Sequence, residues 1–224
     1  MPASAATLAL VLHAAAVSAA PATAPLSPPA IVAGHTVSDP LDRLRIAVPK
    51  SARYVGGERF ALYGTADCQL HLFVDADANK HVRRLYWVQF ERILPSLPKQ
   101  TYHYDDNVRT ALWGGTTWVR SGFGLTNRKT REGSDREHVN ALLAKAGYTA
   151  PPVMLQVRFV RLPDDAAGTG HGRRELMLIY AEDLALSGET YEGLGGDGDE
   201  TDRWRAIEPA LVKRAAAAFD VTTK

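Results

Sequence analysis

Apolar and polar residues alternate with period two over much of the chain, the mark of strands with one face turned inward. Residues 43–48, 58–63, 68–74 and 82–93 follow this pattern in succession. Two more runs, 107–113 and 116–123, flank Gly114-Gly115, a pair suited to a tight hairpin. The period changes at Ser134-Asp-Arg-Glu137, which has the form of a capping box. Val139, Leu142, Leu143 and Ala146 then recur at helical spacing and Gly147 supplies a stop. Strand character returns at 153–162 and 175–182. A last helix is predicted near 201–219, with Ile207, Leu211, Ala215 and Phe219 along one stripe.

Short turns join most of these strands, so the sheet should be antiparallel. The expected fold class is α+β: a curved antiparallel sheet or half-barrel of about seven to eight strands, with two helices packed against one side.

The stretch His71-Leu-Phe-Val-Asp-Ala-Asp-Ala-Asn-Lys80 offers Asp75, Asp77 and Asn79 at the first three ligand positions of a calcium loop. Lys80 then stands where the loop needs glycine, and Tyr86 where it needs a bidentate Glu. Both arms are β-branched and aromatic rather than helical, so the acidic knot is expected to be the bend of a hairpin.

Composition narrows the partners. The 224 residues carry a net charge of +1, with basic residues dispersed, which gives no electrostatic footprint for nucleic acid. Residues 1–38 contain no Lys, Arg, Asp or Glu. Within them an apolar run ends at small residues around Val17-Ser-Ala-Ala20, the pattern of an export signal, though without a basic start. The run is too short and interrupted for a spanning helix. The expected organisation is a signal segment over 1–20, a Pro/Ala-rich linker over 21–38 and a single domain over 39–224, located outside the cell or in a periplasm. The single cysteine, Cys68, cannot form an internal disulfide and lies on an apolar strand face, which suits a small buried side chain.

Gly193-Leu-Gly-Gly-Asp-Gly198 fits a dinucleotide fingerprint in letters only, because no βαβ unit follows and acidic residues crowd it. The acidic residues at 197–202 serve a helix start instead. Ser96-Leu-Pro-Lys99 has the spacing of an acylating serine and lysine, but Pro98 opposes the helix that the motif needs. No metal spacing and no cofactor motif is present.

Strand alternation puts Gln69, His71 and Phe73 on one face and pairs them with Leu85, Trp87, Gln89 and Glu91. A concave face so lined is the usual make-up of a small-molecule pocket, with Trp113 and Trp118 as further walls. The leading expectation is an exported domain that holds a small, partly apolar ligand without chemistry. A rival is a hydrolase or isomerase using His71 with Glu91 as acid and base. A third is a protein-interaction module presenting Trp87 on a flat apolar patch.

Overall fold

The structure, a computed structural model, describes residues 28–104 and 108–223. The expected signal segment and the start of the linker lie outside the described residues. The chain opens with three short strands, β1 (Ile31–Ala33), β2 (Thr36–Asp39) and β3 (Leu44–Ala47). Three long ones follow, β4 (Arg53–Leu62), β5 (Ala66–Ala76) and β6 (Val82–Ile93). Next come β7 (Tyr102–His103), β8 (Val108–Leu112), β9 (Gly115–Leu125) and helix α1 (Asp135–Lys145). The remainder is β10 (Val153–Arg161), β11 (His171–Gly172), β12 (Arg174–Asp183), the one-turn helix α2 (Tyr191–Leu194), helix α3 (Asp202–Ala217) and β13 (Asp220–Thr223).

Seven of the strands form an open antiparallel sheet in the order β4-β5-β6-β12-β10-β9-β8. The α+β class and the antiparallel pairing are those expected. Two features differ. The strand expected at 43–48 belongs to a second sheet, β1-β2-β3-β13, closed by the chain's last strand. Ordered strands also begin at Ile31, inside the stretch that composition assigns to a linker, because Val37 and Ile46 pair there as fully buried side chains.

Each face of the large sheet carries a helix, α1 on one and α3 on the other, whereas the helices were expected on one side. Long strands buried on two faces need a layer against each. On one face Leu70, Leu72, Val74 and Trp87 meet Val139 and Leu143 of α1. On the other, Phe73, Val88, Phe90 and Leu178 meet Trp204, Leu211 and Ala215 of α3, with the small sheet beside them. Burying a large apolar side chain is worth about 1.5–3 kcal/mol, so these layers hold the fold together.

Local signals set the element ends. Ser134 Oγ accepts from the Glu137 amide at 3.3 Å while the Glu137 carboxylate accepts from the Gly133 amide, which starts α1. Thr201 caps α3 by accepting from the Trp204 amide. The acidic knot is a hairpin bend: Asp77 Oδ1 accepts from the amides of Asn79 and His81, each at 2.9 Å, and Lys80 takes φ 63°. Cys68 is fully buried, and burial with the nearby Glu91 carboxyl pushes its thiol pKa far up.

Candidate functional site

Register decides which side chains can meet. Along β5 and β6, Gln69 faces Phe90, His71 faces Val88 and Cys68 faces Glu91. His71 and Gln69 therefore point to the α3 face, while Trp87, Gln89 and Glu91 point to the α1 face. The expected pairing of these residues is corrected: a bulge between Asp75 and Ala76 shifts the register and reverses the match. His71 and Glu91 cannot act on one bound molecule. His71 instead has Nδ1 3.3 Å from Tyr54 Oη. Gln69 Oε1 accepts from the Ala30 amide at 2.7 Å, so it anchors the N-terminal segment.

On the α1 face, polar groups run in a chain beneath the short strand β7. Trp87 Nε1 donates to Gln89 Oε1 at 2.8 Å, and Gln89 Nε2 donates to Glu91 Oε1 at 2.6 Å. Glu91 stands directly opposite Glu175 on β12, and both carboxyls are 4% exposed. Tyr102 donates to Glu91 and Tyr104 donates to Glu175, at 3.0 and 2.7 Å. Burial holds both carboxyl pKa values up, and their mutual repulsion raises Glu175 further. The tyrosines cover this pair, so it is a buried network that fixes the β7 segment.

The open part of this face lies farther along the sheet. Seven strands at ~4.8 Å spacing span roughly 29 Å, while one helix is about 10 Å across. α1 cannot cover that width. It lies toward β4, where His138 stacks on Phe60 with ring centroids 3.7 Å apart. The α1 face of β9 and β10 is left as a groove.

Its inner end is an apolar cavity of about 110 Å³ between α1 and the sheet, lined by Leu85, Trp87, Val139, Leu143, Met154 and Ile179 among others. Its outer part, about 530 Å³, runs over Gly122 to Arg120 and Arg158, bounded by Asp135 and Arg136 of α1 and by Gly196, Gly198 and Glu200. Trp87, Arg136, Gln156 and Ile179 line both parts, so the two form one continuous groove.

The cations of the groove are set in different ways. Arg136 donates to the carbonyls of Leu125 and Thr126, at 3.0 and 3.4 Å, and is fixed at the end of β9. Arg158 lies over the Tyr104 ring, 5.9 Å from its centroid. Arg120 stands directly opposite Arg158, a like-charge cross-strand pair that costs stability. Asp135, half-buried, has its pKa raised by burial.

Gly122 and Gly124 share the groove face with Arg120. A Cβ at either would meet nothing within 4 Å, and neither residue has a positive φ. Glycine inside a strand costs roughly 0.5–1 kcal/mol relative to alanine. Here that cost leaves a bare strip of strand open to solvent.

Of the residues that the sequence suggested, Trp87 alone lines this groove. Gln89 sits behind it in the buried chain. Trp118 is buried beside Tyr104, 6.0 Å between ring centroids. Trp113 packs on Phe159 on the other face and donates to the Phe219 carbonyl at 3.1 Å. The sequence reading did not select Arg120, Gln156, Arg158 or the two glycines; glycine at alternate positions of strand 116–125 was the available signal. Among the described residues, no group of three or more His, Cys, Asp or Glu side chains is placed to hold a metal, and no helix is long and apolar enough to cross a membrane. No family model, curated protein or solved structure matches this chain.

Proposed function

We propose that this domain is a binding protein that holds a small, partly apolar ligand in the groove between α1 and the β9–β10 half of the large sheet. The observation that carries the reading is the continuity of an apolar cavity, floored by Trp87, with an open polar channel. That mixture of an apolar wall and a few polar groups is what small-molecule sites use. The acid–base alternative lacks support, since its two residues occupy opposite faces. The flat-patch alternative lacks it too, since Trp87 is only 6% exposed.

A thermal-shift screen with short-chain acids, alcohols, amines and aromatic compounds tests the reading. A ligand of the native state at one hundred times its Kd adds about 2.7 kcal/mol to stability and raises the midpoint. Tryptophan emission should change on titration with a positive compound, and that change should vanish in Trp87→Phe. A screen in which no compound raises the midpoint overturns the proposal.

A further inference from the structure

We infer that the ligand is a small monocarboxylate: its carboxylate is held by Arg120 and Arg158, and its tail runs over Gly122 and Gly124 into the cavity beside Trp87. The inference rests on the groove being a binding site, and it adds the chemical class of the occupant.

Three observations converge on it. First, Arg120 and Arg158 are cross-strand partners that line the groove; the Arg158 cation lies over the Tyr104 ring and is attracted by the Asp135 and Glu175 carboxyls, while Arg120 has no carboxylate against it among the described residues. Two arginines on facing strand positions can turn their forked donors to one planar acceptor, the arrangement that carboxylates satisfy. A bound anion would also cancel their mutual repulsion. Second, three arginines and two carboxylates, those of Asp135 and Glu200, line this outer part. The single positive charge left over matches a monoanion better than a doubly charged phosphate ester. Third, glycine at 122 and 124 is required by neither backbone angle nor protein contact. It clears a path from the arginines to the cavity, and a strand glycine of this kind marks close approach from outside. The cavity, at about 110 Å³, is smaller than the ~150 Å³ hole that takes benzene, so it suits a tail about the size of a butyl group.

The test compares hexanoate, hexanol, hexylamine and hexyl phosphate by calorimetry and thermal shift, with the full chain and with three variants. Hexanoate should bind at least tenfold tighter than the other three. Arg120→Gln and Arg158→Gln should each weaken hexanoate about tenfold and leave hexanol unchanged. Gly122→Val should block all hexyl compounds, while its own midpoint without ligand stays at or above wild type. Equal binding of hexanol and hexanoate, indifferent to the arginine variants, overturns the carboxylate assignment and leaves the groove standing. Tighter binding of hexyl phosphate overturns the choice of a monoanion. Silence from all four compounds overturns the inference together with the groove.

Discussion

Acid should loosen this fold through His71. Its ring sits in β5 between Gly57 of β4 and Val88 of β6, 9% exposed, and Nε2 has no hydrogen-bond partner. Burial lowers its pKa from 6.5 to about 4. The folded chain therefore resists a proton that the unfolded chain accepts near pH 6.5. The stability carried by the neutral ring is complete above pH 6.5 and is lost as pH falls toward 4. Integrated between the two states, the loss is about 2.5 kcal/mol at pH 4.5 and about 0.2 kcal/mol at pH 7. His71→Phe removes the titration and keeps a ring against Tyr54, so at pH 7 it should lie within about 1.5 kcal/mol of wild type. Urea unfolding followed by circular dichroism measures the difference. With a slope of about 2 kcal/mol per molar, the wild-type midpoint should fall about 1.2 M further than the variant's between pH 7 and pH 4.5. Asp42, whose carboxyl burial raises to about 6, contributes oppositely, since its share is lost as pH rises. That share is common to both proteins and cancels in the comparison. Equal falls in the two midpoints would refute the reasoning.

Other outcomes follow from the same contacts. Arg92 lies 2.7 Å from Asp39 and 3.6 Å from Asp42, joining the small sheet's turn to the large sheet. Arg92→Met takes the guanidinium from the buried Asp39 carboxylate, while Asp42 keeps Arg174, and should cost about 3–5 kcal/mol by chemical denaturation. Trp204→Ala empties the fully buried seat of α3 and should cost a similar ~3–5 kcal/mol. Trp204→Phe should cost clearly less, because the indole N–H has no hydrogen bond to lose. Glu175→Gln keeps an acceptor for Tyr104 and removes a carboxyl whose pKa burial and Glu91 hold high. The raised pKa means that wild-type stability falls as pH rises, so the variant should gain on wild type in thermal melts between pH 5 and pH 8, and an equal pH response of the two would count against the buried carboxyl.

The elements were legible because their signals are local. Period-two alternation found the long strands, and the capping box found the start of α1 at Ser134. What local pattern cannot report is which layer an element joins. Residues 43–48 form a strand as expected, yet their partner β13 lies at the other end of the chain, and only the closed sheet reveals it. Trp204 of α3 continues the stripe one turn before Ile207, seven and eleven residues ahead of Leu211 and Ala215, and is fully buried with them, though alternation gives no sign of the sheet face it meets. Pro209 lies inside that helix, where a sequence rule would place a break.

The candidate site turned on one residue. Ala76 pairs with Val82, but Asp75 pairs with Arg84, so the β6 strand carries one extra residue at Arg83. Had the register of the first pair continued, His71 would face Trp87 and Gln69 would face Gln89, which is the match that simple alternation suggests. The bulge moves every β5 residue before Ala76 to the opposite face from that match. Its effect is to join Trp87, Gln89 and Glu91 to Leu70, Leu72 and Cys68, and to leave His71 with Tyr54. A polar chain is thereby sealed under β7, and Trp87 becomes the hinge between that sealed chain and the open groove. The groove itself follows from width, not from any motif: one helix laid toward β4 leaves the Arg120–Gly124 stretch of β9 and the facing part of β10 uncovered. Arg120, Gly122 and Gly124 have meaning only once that bare strip is known, which is why alternation along 116–125 showed a strand and not a site.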